Sequence, residues 1–311
     1  MSFTHCIEQQ EYILMEGALG ERLKREYHLA LDESVVMARL IYETNGAKAL
    51  HDLWTEYMQI AEKYKLPFLA TTPTRRANQE RVMKAGYDSS IIRDNVEFLR
   101  SIQKQHKGLM YVGGLLGCKG DAYTGEGALS ENEAKEFHKW QVDLFQDTGV
   151  DFLYAAIMPT LPEAAGMAKA MSDTGLPYII SFTIQRDGKL IDQTTISDAI
   201  YYIDNTVERK PACYMTNCVH PNIVYEALSQ PFNQTNHVRN RFLGIQANTS
   251  PLSYAEIDGS VDLKCQAPES FADDMMRLRN VSKIKIYGGC CGTDQRHMEQ
   301  VAMRLNMNDY E

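Results

Sequence analysis

Short apolar or β-branched runs recur along the chain, each closed by small or polar residues and followed by a longer stretch with helical apolar spacing. That alternation is the signature of βα units in a parallel sheet. Eight runs stand out in order: Ile13-Leu14-Met15, Phe68-Leu69-Ala70, Met110-Tyr111-Val112, Phe152-Leu153-Tyr154, Tyr178-Ile179-Ile180, Ala212-Cys213-Tyr214, Phe242 to Ile245, and Ile284 to Tyr287. Between them, Ser130 followed by Glu133 predicts a capping box ahead of a helix carrying Phe137, Trp140 and Leu144. A similar helix is predicted near Pro268 to Arg279, and Leu31 to Asn45 reads as extra helical material between the first two strands. Eight βα units in 311 residues match a (β/α)8 TIM barrel, whereas a doubly wound open sheet would more often stop at about five to seven strands. No linker or repeat divides the sequence, so residues 1–311 read as a single domain.

Small and polar residues collect where these runs end: Glu16-Gly17, Thr71-Thr72, Gly113-Gly114, Ser181-Phe182-Thr183, Asn217-Cys218, Asn248-Thr249-Ser250 and Gly288 to Gly292. Turns are rich in such residues anywhere, but in a barrel this is the face where the βα loops converge on the active site.

Composition narrows the partners. With 44% hydrophobic and 23% charged residues the chain is an ordinary globular one, and its 32 basic against 41 acidic residues leave a net charge of −9. No run of basic residues supplies the positive footprint that nucleic acid or an anionic membrane requires, so small molecules are the expected partners. The first residues hold no signal-peptide pattern and no stretch approaches about 18 uninterrupted apolar residues, which points to a cytoplasmic protein that does not enter the membrane. The formation of a homo-oligomer is left open.

Seven cysteines in a chain of this length do not form a secreted disulfide framework, and reduced thiols are expected. The adjacent pair Cys290-Cys291 is the most unusual feature, because vicinal cysteines are poorly placed to bridge each other. A closed barrel brings this pair, after the eighth run, to the same rim as Cys218, after the sixth. Three thiolates and an open fourth position are the arrangement of a catalytic zinc, and the flanking Gly288, Gly289 and Gly292 would let the backbone fold tightly enough for both vicinal side chains to reach one ion. Such an ion would hold a substrate thiol in its deprotonated, nucleophilic form. Buried packing, or a redox role for the vicinal pair, is the competing reading. His220 reads as a surface-loop histidine, and Cys6, Cys118, Cys213 and Cys265 as structural or incidental.

The chain resembles the homocysteine S-methyltransferase family of zinc-dependent barrels over nearly its whole length. The resemblance rests on Gly288-Gly289-Cys290-Cys291-Gly292-Thr293 with Asp294 and Arg296-His297, and on Thr216-Asn217-Cys218. Further similarity lies in Glu16 to Gly20, Gly113 to Tyr123, Pro159 to Ala164, and Ser181-Phe182-Thr183 with Asp187-Gly188. It implies Cys218, Cys290 and Cys291 as zinc ligands and a homocysteine-type thiol as the fourth. It further implies a methyl group transferred from an onium donor of the S-methylmethionine, S-adenosylmethionine or betaine type. Glu16, Thr72, Ser181 and Asn217 become candidate substrate contacts. Separate cobalamin or folate domains are not expected in a chain this short, which favours a free donor, and Tyr123, Phe182 and Tyr254 are aromatic candidates around its cation.

Two departures fall where such enzymes hold the amino acid part of the substrate. Where family members often carry Glu-Thr-x-Pro, whose carboxylate holds the substrate ammonium, this chain has Ala156-Ile157-Met158-Pro159. Losing that acceptor costs on the order of 2–5 kcal/mol unless another group replaces it. After the second run, Thr-Thr-Asn-Thr-Tyr becomes Thr71-Thr72-Pro73-Thr74-Arg75, followed by Arg76. Forked guanidinium donors match carboxylate or phosphate, so Arg75 and Arg76 are candidates for binding an anionic group of substrate or donor, against the alternative of pairing with helix carboxylates. A different small thiol, or a zinc-binding barrel without methyltransferase activity, remain the alternative functions.

Overall fold

The computed structural model describes residues 1–105, 107–251 and 265–307. Its eight strands are β1 (Ile13–Met15), β2 (Phe68–Thr71), β3 (Met110–Gly117), β4 (Phe152–Met158), β5 (Tyr178–Phe182), β6 (Cys213–Val219), β7 (Phe242–Ala247) and β8 (Ile286–Gly289). All pair in parallel in sequence order, and β1 meets β8 through Ile13 opposite Ile286 and Leu14 opposite Tyr287. The sheet therefore closes into the expected (β/α)8 barrel. Its strands are buried almost throughout, as strands covered on both faces must be, which explains why they read as unbroken apolar runs.

The helices pack outside. Thr44–Lys63 turns Leu50, Leu53, Trp54, Tyr57, Met58 and Ala61 inward at helical spacing. The capping box of Ser130 and Glu133 starts the helix Glu131–Gln146. Its buried face differs from the apolar stripe in the sequence: Ala134, His138, Gln141, Val142 and Phe145 are buried, while Phe137, Trp140 and Leu144 flank them half-exposed. Polar residues occupy that face because each has a partner. His138 Nε2 lies 3.1 Å from the Glu163 carboxylate, and Gln141 donates to the Thr74 carbonyl at 2.9 Å.

The segment from Leu31 to Asn45 is less helical than its composition suggests. The Asp32 carboxylate accepts the N–H groups of Ser34 and Val35, which commits the chain to a turn, and only a 3-10 helix, Ala38–Tyr42, precedes Thr44–Lys63. The helix starting at Pro268 runs to Arg277 and tightens into a 3-10 turn. Below the barrel, Phe3 of the short helix Phe3–Gln9 stacks on Phe152 with ring centroids 4.3 Å apart and closes the N-terminal mouth.

Candidate functional site

Two strand irregularities aim the thiols. In β6, Asn217 pairs with Gln246 and Val219 with Ala247, leaving Cys218 as the extra residue of a bulge with φ +63°. A bulge re-aims one side chain without ending the strand, and here that side chain is a thiol. Asn248 holds the Cys218 carbonyl at 2.9 Å.

At the end of β8 the backbone folds back on itself. Cys290 N–H donates to the Ala247 carbonyl at 2.7 Å, and the Cys290 carbonyl accepts both the N–H and the hydroxyl of Thr293. Gly292 follows at φ +82°, a conformation open to glycine, and its N–H donates to Glu21 at 2.6 Å.

The result is that the sulfurs of Cys218, Cys290 and Cys291 all lie within 4.8 Å of one another, with Cys218 and Cys291 3.7 Å apart. Ligands about 2.3 Å from a tetrahedral zinc stand about 3.8 Å from each other, so this spacing fits a metal, whereas a disulfide would need about 2 Å. Cys290 and Cys218 are half-buried and Cys291 is exposed, so one side of the cluster faces solvent.

The electrostatics agree with that fit. Hydrogen bonds from Cys290 and Cys291, then from Tyr123, hold the Cys218 thiol well below its ordinary range despite burial. The same interaction pushes Cys290 and Cys291 upward, since a second and third negative charge would crowd the first. A cation among them removes that resistance.

The surrounding candidates are placed as follows. Asn217 accepts the Ser181 hydroxyl at 2.7 Å and the Ile157 N–H at 2.9 Å on one oxygen, tying together the ends of β4, β5 and β6. Thr72 is buried, accepting the Leu115 N–H at 3.1 Å and sharing a hydrogen with Thr74 at 2.7 Å. Glu16 is buried and accepts from Trp54 Nε1 at 2.7 Å and from the backbone and hydroxyl of Thr71; burial lifts its carboxyl to about 7. Arg75 and Arg76 are half-buried, and neither forms an ion pair with a carboxylate of the described residues.

Other expectations change. His220 is buried, not a surface-loop residue: it caps the helix Pro221–Leu228 through Nδ1 and meets Gln266 through Nε2 at 2.8 Å. Phe182 is fully buried and stacked on Tyr214, which removes it from any cation-facing rim. Tyr254 lies outside the described residues. Tyr123 does reach the site, but through its hydroxyl, which bonds the Cys218 sulfur. A tyrosine 95 positions from its partner carries no local signal of this, nor does the buried pair Tyr154 and Gln246, joined at 2.9 Å.

The sequence profile of homocysteine S-methyltransferases matches residues 13–305. A homocysteine S-methyltransferase of Bacillus subtilis (strain 168), YbgG, is 20% identical, with 96% of each chain covered. The homocysteine methyltransferase MmuM of Escherichia coli superposes in its metallated form with a TM-score of 0.76 at 19% identity, covering 96% of this chain and 98% of that one. Its oxidised form gives the same TM-score and covers 97% of that chain. With its profile match running from the first strand through the last helix, the chain belongs to the homocysteine S-methyltransferase family, the thiol-methylating enzymes.

Proposed function

We propose that this chain is a zinc-dependent S-methyltransferase that moves a methyl group from an onium donor to the sulfur of homocysteine or a closely related small thiol, yielding methionine or a related thioether. The observation that carries this reading is the convergence of three thiols from two distant strands, at a spacing that suits one tetrahedral ion. Cys218, Cys290 and Cys291 would hold the zinc, which when bound lowers the pKa of a thiol completing its coordination.

The protein's own residues then have a positioning task. The acceptor sulfur attacks the methyl carbon as the carbon–onium bond breaks, so sulfur, carbon and leaving atom must lie in line. In this reading Ser181 and Asn217 fix the strand ends on one side of the thiols, and Thr72 and Glu16 fix them on the other. Tyr123 closes over Cys218. The donor is an S-methylmethionine, S-adenosylmethionine or betaine type of compound, and the setting is the cytoplasm, where thiols stay reduced.

Metal analysis of reduced protein, paired with methyl-transfer assays using homocysteine and each donor, tests the reading. About one zinc per chain and thioether formation are expected, both lost when Cys218, Cys290 or Cys291 becomes Ser. Normal turnover by any of the three variants would overturn it. Zinc binding with no methylation of any thiol would favour a non-catalytic barrel, and an absence of stoichiometric metal would favour a redox pair. Ala156, where a carboxylate could have met a substrate ammonium, favours an acceptor other than homocysteine as the second reading.

A further inference from the structure

We propose that the side-chain amides of Asn217 and Gln246 form a pair of donors beneath the metal-binding thiols, and that this pair holds the carboxylate of the thiol the site accepts. The inference rests on the S-methyltransferase reading above and names the substrate class of that same site.

The sheet places the pair. β7 runs between β6, which carries Cys218, and β8, which leads into Cys290 and Cys291. Gln246 is the register partner of Asn217 on one side and of Gly288 on the other, and side chains level with each other in a parallel ladder share a face. Asn217 directly precedes Cys218, and Ala247, the residue after Gln246, accepts the Cys290 N–H at 2.7 Å. Both amides therefore stand one strand step, about 3.3 Å, below the thiols.

Their direction follows from what they reach. Gln246 Oε1 accepts the Tyr154 hydroxyl at 2.9 Å, and Tyr154 lies on β4, which is not a neighbour of β7, so this bond crosses the barrel interior. Asn217 Oδ1 accepts the Ile157 N–H, also from β4 and past an intervening strand, together with the Ser181 hydroxyl. Gly288 makes room, since a Cβ there would stand 2.8 Å from Gln246 Cγ. The same bonds decide which end of each amide is spare. A backbone N–H only donates, so Asn217 must give its oxygen to Ile157 and turn Nδ2 elsewhere. Tyr154 gives its hydrogen to the Gln246 oxygen, which turns Nε2 elsewhere. Neither nitrogen bonds any group among the described residues, although Asn217 is 5% and Gln246 8% exposed. Neither is sealed in: unlike Asn248 Oδ1 and Thr183 Oγ1, both keep a solvent-facing surface. With Phe3 stacked on Phe152 at the opposite end, that surface faces the mouth.

Two nearly buried NH2 groups without acceptors are completed by a ligand that brings oxygens. A carboxylate does this best, because a charged acceptor makes hydrogen bonds about twice as strong as a neutral one where water is largely excluded. Neighbouring strands are about 4.8 Å apart, so the two nitrogens can converge on the two oxygens of one carboxylate. Glu16 does not supply those oxygens, since Trp54 and Thr71 hold its carboxylate. An ammonium would meet only hydrogen-bond donors at this pair.

Three thiols isolate the group that is read. 4-Mercaptobutyrate is homocysteine without its amino group, 3-mercaptopropylamine is homocysteine without its carboxylate, and 1-propanethiol lacks both. Calorimetric titration of the metal-replete protein should find 4-mercaptobutyrate binding about thirtyfold more tightly than 1-propanethiol. Gln246→Leu should cut that preference by about tenfold. Gln246→Glu keeps the size of the side chain and an acceptor for Tyr154 but puts an anion in place of the donor, so 3-mercaptopropylamine should overtake 4-mercaptobutyrate. A residue that only supports the fold would not reverse that order, and the Gln246→Glu result decides should Gln246→Leu fail to fold. In methyl-transfer assays Gln246→Leu should raise KM for 4-mercaptobutyrate more than it lowers kcat, because the pair meets the head group and not the sulfur. The proposal is overturned if the wild-type preference for 4-mercaptobutyrate over 1-propanethiol is under about threefold, if it is unchanged in Gln246→Leu, or if the order of the two charged thiols survives Gln246→Glu. Methylation of thiols with no preference for a carboxylate overturns the role of the amide pair alone, whereas carboxylate-dependent binding with no methylation of any thiol overturns the catalytic reading alone.

Discussion

The side-chain oxygen of Asn217 accepts the backbone N–H of Ile157 at 2.9 Å, and both residues belong to strained stretches of strand. Ile157 sits at φ +55°, a conformation costly for a β-branched residue, and Cys218, next to Asn217, sits at φ +63°. The bulge that aims a thiol in β6 and the irregularity at the end of β4 thus share one clasp.

Asn217→Ala should remove that clasp and leave the Ile157 N–H and the Ser181 hydroxyl buried without their acceptor. A loss of about 2–4 kcal/mol is expected, read as a lower urea midpoint at unchanged slope. Asn217→Asp, which keeps the acceptor, should recover much of it. A wild-type midpoint for the alanine variant would show that the bulges hold without their link.

Gly292 permits the turn that brings Cys291 alongside Cys218. At φ +82° an alanine costs about 1–2 kcal/mol in backbone alone. Its Cβ would also stand 1.9 Å from Thr249 Oγ1, and Thr249 N–H is itself bonded to the Cys291 carbonyl. Gly292→Ala should therefore lower both the melting temperature and the metal content per chain. Calorimetry with metal analysis checks this, and a variant retaining both would contradict it.

How much of this was legible in the sequence depends on the range over which each signal acts. The barrel was readable because each strand is a local apolar run, and Cys290-Cys291 because two thiols side by side are conspicuous at any distance from their partner. The clasp was not: nothing in the residue type of Ile157 announces a left-handed backbone, and Asn217 lies 60 positions away. His220 and Phe182 were misplaced for a related reason. A histidine in a polar loop reads as exposed until Gln266, 46 positions on, buries it, and a phenylalanine at a strand end reads as rim until Tyr214 stacks against it.

The buried Glu16 gives stability a pH dependence opposite to that of an ordinary ion-paired acid. Its folded pKa, about 7, lies above the ordinary 4.5 because desolvation outweighs the hydrogen bonds from Thr71 and Trp54. The folded state therefore holds the proton more tightly. Its stabilising effect is full below about pH 4.5, declines as pH rises, and is spent above about 7, with a span of about 3 kcal/mol. Glu16→Gln should flatten this component in denaturation curves taken between pH 4.5 and 8. The variant also loses an acceptor, so its stability should be lower at the acid end of the range. An unchanged pH profile would show that Glu16 titrates normally.

Tyr123 provides a test of how the thiols are tuned apart from metal. Its hydroxyl bonds the Cys218 sulfur and is among the groups holding that thiol low, after the bonds from Cys290 and Cys291. Tyr123→Phe keeps the ring and removes only the donor. In metal-free, reduced protein the thiolate fraction of Cys218 at neutral pH should fall, and its alkylation by iodoacetamide should slow by about tenfold. Peptide mapping by mass spectrometry isolates Cys218 from the six other cysteines, and the melting temperature reports whether the fold is intact. An unchanged rate in a stable variant would mean that the two neighbouring thiols suffice to hold the charge on Cys218.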